Sequence, residues 1–393
     1  MTYLAKKGHE VTVVCKPPSD EPEMDGVKVV EVPEWSTREP LTSLKNITKS
    51  LTLVDLSRYP KLSETVRKKD PDVLHVHNLA ELRTGYIVAR RYDVPIVADM
   101  RELYPESLAA WRRGEPKWHL VRPHRFLRST WRYRRLEKRL LRHVDAIMSE
   151  SDEAKRHFVE EYGIPESKIT PIRNVPDLER LRSYGVRDVG IEGEFVVMYI
   201  GNFTPQRELD AAIDAMRHVV DEVPGAKLYL IGDGQEAYIS KLKQQRDELG
   251  LEDSVVFTGW VEFEDLPSYT AASDVSLCLL QTDNKDSQCA ITNKLFQAMA
   301  FGTPILITDT EAMRRIVEKE DCGVVAESTE PEEISEKLLE LYRNPELADE
   351  LGENGKEAAE REYNFEKEGV KLMKVYESVL GKKIRRRRTE IKQ

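Results

Sequence analysis

The chain has 393 residues, more than one hydrophobic core usually organises, so two domains are expected. Its composition is ordinary for a globular protein, with 40% hydrophobic and 33% charged residues, and its net charge of −10 argues against a general nucleic-acid binder. The four cysteines (Cys15, Cys278, Cys289, Cys322) stand far apart with no C-x-x-C spacing, which excludes a disulfide frame and a cysteine zinc site. No apolar run approaches the roughly 20 residues needed to cross a bilayer, and no signal peptide opens the sequence, so a soluble cytoplasmic protein is expected.

In chain order, residues 1–10 read as the end of a helix, capped by Gly8, that runs into a strand at 11–14. A doubly wound domain ordinarily begins with a strand and a glycine-rich turn before its first helix, and no such unit precedes this one. Either codons upstream of Met1 supply it or the domain has lost it. Further Val/Ile/Leu-rich runs of strand length follow at 27–30, 73–76, 96–98 and 146–148, and a second series at 195–200, 228–231, 255–258, 275–280, 304–308 and 323–325. Continuous apolar runs alternating with helical patterns predict parallel strands buried on both faces, hence an α/β chain with two doubly wound domains. The expected division is a first domain over 1–180, a polar linker over 181–193, a second domain over 194–363, a helix over 364–380 packing back across a domain face, and a disordered basic tail over 381–393.

The most informative segment is Asn293-Lys294-Leu295-Phe296-Gln297-Ala298-Met299-Ala300-Phe301-Gly302-Thr303-Pro304-Ile305. Small and polar residues feed a short helix, and Gly-x-Pro stops it and opens a strand. The helix start, with Thr292, Asn293 and Lys294, offers backbone N–H groups, a dipole and one ammonium to a single place. An anion suits that place.

The order of motifs resembles the nucleotide-sugar glycosyltransferases of family 4, over nearly the whole chain. Leu4-Ala5-Lys6-Lys7-Gly8-His9-Glu10-Val11 is similar to that family's first helix end and second strand. Val94-Pro95-Ile96-Val97-Ala98-Asp99-Met100-Arg101-Glu102-Leu103-Tyr104-Pro105-Glu106-Ser107 resembles its acceptor-side strand and loop. Ile231-Gly232-Asp233-Gly234-Gln235-Glu236, Leu249-Gly250-Leu251 and Phe257-Thr258-Gly259-Trp260-Val261 follow the order of its second domain. The resemblance implies the GT-B architecture, two Rossmann-like domains facing across a cleft. It also implies retaining transfer of a hexose or N-acetylhexosamine from a nucleotide diphosphate, most often a UDP-sugar, to a glycan or lipid-linked acceptor, in surface polysaccharide or glycolipid assembly. No cofactor and no essential metal are expected, and nothing resembles the Asp-x-Asp signature of metal-dependent transferases in a suitable place.

The departing diphosphate gains charge as the glycosidic bond breaks, so cations aimed at it raise the rate. By resemblance, the loop after Gly201 carries an arginine and, five residues on, a lysine; here those places hold Asn202 and Arg207. Arg207 can fork onto two phosphate oxygens, and Lys294 is the second cation. The family's pair of glutamates eight positions apart is replaced by Cys289 and Gln297. Glutamine still accepts a bond from a ribose hydroxyl but loses its charge-assisted part, roughly 1 kcal/mol; Cys289 reads equally as a buried thiol. By the same resemblance Gly259, Trp260 and Val261 are expected to hold the base, with Trp260 either stacking on it or packing into the protein.

On the acceptor side the resemblance points to His75, His77, Asn78, Asp99, Arg101 and Glu102. Arginine cannot act as a proton carrier, so Arg101 is expected to clamp a phosphate or carboxylate where many relatives have a histidine. Ordinary packing at a strand end is the other reading of the two histidines. From Arg101 to Arg142 there are 13 Lys/Arg against 4 Asp/Glu, interleaved with Trp111, Trp118 and Trp131, and Lys382-Lys383-Ile384-Arg385-Arg386-Arg387-Arg388 adds charge at the end. This predicts an anionic membrane surface as partner, peripheral on the inner face, with a solvated helix face and RNA contact as the other readings. Beside the enzyme stand two alternatives, a catalytically impaired binding or scaffolding relative of the same fold and a nucleotide-sugar epimerase of the same build.

Overall fold

A computed structural model describes residues 2–15, 26–32, 52, 54–111 and 129–390, with the backbone alone for residues 111 and 382–390. The chain divides into two compact units, Met1–Ile172 with Glu368–Gln393, and Arg173–Lys367.

In the first unit, strands β1 (Val11–Cys15) and β2 (Val27–Glu31) pair in parallel. A separate sheet joins β3 (Leu74–His77), β4 (Ile96–Met100), β5 (Ala146–Ser149) and β6 (Ile169–Pro171), all parallel and in that order. In a sheet of order 3-2-1-4-5-6, a first strand would sit between β1 and β3. The described strands of this unit form two separate sheets. Every residue of β4 is buried, as a strand covered on both faces requires.

The second unit has one sheet of order β12-β11-β10-β7-β8-β9, from β7 (Phe195–Ile200), β8 (Ala226–Ile231), β9 (Val255–Gly259), β10 (Val275–Cys278), β11 (Ile305–Thr308) and β12 (Gly323–Ala326). Read from β9, this is the order 3-2-1-4-5-6, and it reverses between β7 and β10. Ligands of open α/β sheets bind at the carboxyl ends of strands at such a reversal. The two units also share a local device. Asp145, just before β5, accepts from the Ile96 amide at 3.0 Å, and Asp274, just before β10, accepts from the Val196 amide at 2.6 Å. Each carboxylate satisfies an amide at the start of the neighbouring strand that would otherwise be buried without a partner.

Two expectations need correction. Residues 169–171 form a strand that the apolar-run criterion passes over, because Ile-Thr-Pro at a sheet edge is too short and too polar to register. The helix after residue 364 is also longer than expected. It spans Phe365–Glu390, so its backbone continues through most of the supposed disordered tail. The polar connection is partly ordered as well, with a helix at Leu178–Ser183 capped by the Asp177 carboxylate, which accepts from the Arg180 amide at 3.1 Å. The four cysteines are unbridged, and Cys278, Cys289 and Cys322 are buried.

Candidate functional site

In the second unit, β7 ends at Gly201, whose φ of +141° lies in the region that favours glycine. A Cβ there would stand 2.7 Å from Lys294 Cε and 2.9 Å from Nζ, so glycine is what lets the lysine lie along this backbone. Lys294 occupies the first turn of the helix Asn293–Phe301, and its Nζ sits 4.8 Å from the centre of the Tyr199 ring. The helix stops at Gly302, φ +72°, where the Thr303 amide donates back to Ala298 O at 3.1 Å. Its N-cap, Thr292, gives no side-chain cap, since its hydroxyl faces Met313 Sδ at 3.9 Å. The Leu295 amide donates to Thr292 O at 3.1 Å, which leaves the Asn293 and Lys294 amides for another acceptor.

Arg207 closes the short turn Pro205–Arg207, which leaves β7 through Asn202, whose carbonyl accepts from Tyr199 Oη at 2.8 Å. Burial and the positive charge of Arg207 together lower the Lys294 pKa to about 7. The two cations thus lie near enough to repel. Among the described residues no carboxylate pairs with either. Partly buried cations without a carboxylate partner at a sheet reversal are chemically suited to receive an anion.

Glu208, immediately after Arg207, has φ +50°, a conformation costing a non-glycine residue about 1–2 kcal/mol. Burial, then the nearby Asp210 and Asp283, push its carboxyl up to about 7. Glu208→Gly is expected to stabilise the protein by about 1 kcal/mol, seen as a higher urea midpoint with an unchanged slope.

The other donor-side residues divide. Gln297 donates from Nε2 to Thr270 Oγ1 at 3.1 Å, which turns its carbonyl oxygen into the remaining acceptor. Cys289 is 2% exposed, in keeping with the buried-thiol reading. Gly259, φ +76°, ends β9 and accepts at its carbonyl from the Gly232 amide at 2.9 Å, while Val261 packs against a small apolar cluster. Trp260 is 77% exposed, so packing does not explain it.

In the first unit the acceptor-side residues meet around Asp99, which is fully buried in β4. His75 Nε2 lies 3.2 Å and His77 Nδ1 3.0 Å from its Oδ2, and the two imidazoles stack with centres 4.7 Å apart. Arg101 adds Nε to Oδ1 at 2.7 Å and a second nitrogen to Oδ2 at 2.9 Å, and also donates to Ile172 O at 2.9 Å. Burial opposes ionisation of Asp99, but the bonds from both histidines and the Arg101 charge outweigh it and hold the carboxyl far below its ordinary range. Burial lowers the pKa of His75, against the pull of Asp99. Asn78, at φ +56°, accepts through Oδ1 from the Arg101 amide at 3.0 Å, and Glu102 is partly buried beside it.

Arg101 therefore does clamp a carboxylate, but that of Asp99 in its own sheet, so its guanidinium is not a vacant fork. Sequence reasoning also missed Tyr376, whose hydroxyl lies 2.6 Å from His75 Nδ1 across a separation of 301 residues. No signal in the sequence connects the two. His75, His77 and Asp99 also have ligand atoms within 4.8 Å of one another, close enough for a metal ion. The Arg101 fork on both Asp99 oxygens disfavours one, since a cation already neutralises that carboxylate. Trp118 and the rest of 112–128 lie outside the described residues, as do the side chains of Trp111 and of 382–390.

Comparison with known proteins identifies the family. Two family models match the chain, "Glycosyltransferase Family 4" over residues 1–180 and "Glycosyl transferases group 1" over residues 187–358. A putative glycosyltransferase of Bacillus subtilis, YtcC, is 24% identical over 342 residues, which cover 82% of this chain and 76% of that protein. The alpha-monoglucosyldiacylglycerol synthase of Streptococcus pneumoniae is 21% identical over 341 residues, covering 82% of this chain and 69% of that protein. Among solved structures, Anabaena HepE in complex with UDP superposes with a TM-score of 0.69 at 16% identity, covering 94% of this chain and 100% of that one. With matching models over both halves and a shared pair of Rossmann-like units, this chain belongs to the family 4 glycosyltransferases of GT-B architecture.

Proposed function

We propose that the protein transfers a hexose or N-acetylhexosamine from a UDP-sugar to a glycan or lipid-linked acceptor, with retention at the anomeric carbon, in polysaccharide or glycolipid assembly. The observation that carries the reading is the pair Arg207 and Lys294 at the end of β7, mutually repelling and without a carboxylate partner among the described residues. A diphosphate supplies the missing charge. HepE, of like fold, was solved with UDP and with UDP-glucose, which supports a uridine donor.

In the proposed chemistry the acceptor oxygen forms its bond to the anomeric carbon on the face from which the diphosphate leaves. The bond from that carbon to the β-phosphate oxygen breaks, and the acceptor's proton passes to the departing phosphate. Arg207, Lys294 and the amides of Asn293 and Lys294 at the start of the helix Asn293–Phe301 take up the developing charge, the work a divalent metal does in metal-dependent transferases. Gln297 holds the ribose through its carbonyl oxygen and Trp260 covers the base. Calorimetry with UDP tests the pocket, and proton NMR of the released product reads its anomeric configuration. No binding at millimolar UDP would remove the reading. The alternative, a binding relative impaired in transfer, is favoured by Asn202 and Cys289 where cationic and carboxylate residues are expected. UDP binding without turnover of any sugar donor would select it.

The proposal includes docking on an anionic membrane at the cytoplasmic face. No helix among the described residues is long and apolar enough to cross a bilayer. In the helix Thr130–His143 one face is buried through Tyr133, Glu137, Leu140 and Leu141. The other presents Trp131, 64% exposed, with the Arg135 guanidinium 5.5 Å from its ring and Arg139 exposed nearby. An indole beside guanidinium groups suits a headgroup layer. Arg135→Ala is expected to lower binding to phosphatidylglycerol vesicles roughly fivefold, with high salt abolishing the difference. Equal co-sedimentation with neutral phosphatidylcholine vesicles would contradict an electrostatic dock.

A further inference from the structure

We propose that Thr270 is a positioning residue for the ribose of the donor. Acting through Gln297, it fixes which end of that amide faces the sugar hydroxyls, and so sets a preference for a ribonucleotide over its deoxy analogues. The ribose part of this inference rests on the UDP-sugar reading above.

The two ends of an amide are told apart by what surrounds them, and here one hydroxyl decides. Thr270 Oγ1 lies 2.8 Å from Leu266 O. A carbonyl oxygen has no proton, so the hydroxyl must donate, and it has only one proton to give. Toward Gln297, at 3.1 Å, Thr270 Oγ1 can therefore only accept, and Nε2 is the one atom of that side chain able to donate. The amide is thus turned with its Oε1 directed away from Thr270. Gln297 is partly exposed, and among the described residues nothing donates to its Oε1. A carbonyl oxygen held in this way suits a hydroxyl that donates. A glutamate at this place would set a carboxylate oxygen against the lone pairs of Thr270 Oγ1 unless the hydroxyl gave up Leu266 O. The threonine and the glutamine are in this sense matched.

Thr270 can do this because it is itself fixed. It is buried, on the short helix Leu266–Ala271 that follows the Gly259–Val261 turn. Its carbonyl accepts from Thr303 Oγ1 at 2.9 Å. Thr303 directly follows Gly302, where the helix that carries Gln297 stops. Two hydrogen bonds, from Gln297 and from Thr303, therefore hold Thr270 to that helix and its end, and all of these residues lie in one compact unit.

Thr270→Val keeps the shape of the side chain and removes the hydroxyl. Calorimetry of the wild type should show UDP binding about fivefold more tightly than whichever of 2′-deoxy-UDP and 3′-deoxy-UDP lacks the bonded hydroxyl, the worth of one neutral hydrogen bond. In Thr270→Val that preference should fall to about twofold or less, with affinity for the deoxy nucleotide unchanged, and Thr270→Ser should keep the wild-type preference. Gln297→Ala should abolish it, and adding Thr270→Val to Gln297→Ala should cost nothing more. A merely structural threonine would instead move the affinities of ribo and deoxy nucleotides alike. In the wild type without nucleotide, NMR should give a nuclear Overhauser contact between the Gln297 side-chain amide protons and the Thr270 methyl, a reading that holds even if Thr270→Val does not fold. Absence of that contact, an undiminished preference in Thr270→Val, or additive losses in the double variant would overturn the proposal. Equal binding of UDP and both deoxy nucleotides to the wild type would overturn it too, and would leave the donor reading standing. If UDP does not bind the wild type, the donor reading and the ribose role fall together.

Discussion

Lys294→Met is expected to weaken UDP binding by roughly 10- to 100-fold, the worth of a charge-assisted bond to phosphate, while leaving stability unchanged or slightly raised. The second half of that expectation separates a binding lysine from a structural one. In the protein without donor, Lys294 is held against Arg207 with no carboxylate beside it, and its pKa falls to about 7 from an ordinary 10.5. A lowered folded-state value means that the fold disfavours the proton. Between about pH 7 and pH 10.5 the unfolded chain holds a proton that the folded chain has released, so this group makes stability rise with pH across that window. Donor binding runs the other way. The diphosphate requires the ammonium, so affinity is greatest below about pH 7 and declines as pH rises above it, with proton uptake on binding. Calorimetry of UDP in two buffers of different ionisation enthalpy, at pH 6.5 and 8.5, measures both. Affinity independent of pH, or a Lys294→Met variant that binds UDP normally, would remove Lys294 from the donor site.

Asp99→Ala is expected to cost about 3–5 kcal/mol of stability, the penalty for stranding buried partners of a removed charge. Asp99 is fully buried near the C-terminal end of β4, and its loss leaves the Arg101 guanidinium and two imidazoles facing one another. The pH dependence follows from the direction of the shift. The folded-state pKa lies below the ordinary 3.8, so this contribution is fully present above about pH 4 and is lost as pH falls below it. His75 adds in the same direction. Its pKa is lowered from 6.5, so the fold resists its protonation and stability declines as pH drops below that value. Urea unfolding at pH 7 and pH 4.5 should show a smaller wild-type stability at the lower pH. A cost below about 1 kcal/mol for Asp99→Ala would mean that the cluster is solvated and does not organise the strand ends.

Much of the architecture was legible in residue order because a parallel strand buried on both faces must be written as an unbroken apolar run. β7 is such a run and β4 is one as far as Asp99, and Gly302-Thr303-Pro304 marks a helix stop by backbone rules that hold in any context. The short edge strand Ile169–Pro171 obeys no such rule, since three residues at a margin bury too little to shape their composition.

By itself, then, the sequence determined the fold class and the family, because periodicity and turn chemistry act over a few residues at a time. Only the tertiary structure decided which charges are paired. It captured Arg101 on Asp99, left Arg207 and Lys294 without carboxylate partners among the described residues, exposed Trp260, and set Tyr376 against His75. The reason is physical. Protonation, tautomer and pairing depend on atoms within about 3–4 Å, and folding brings those atoms together from positions hundreds of residues apart.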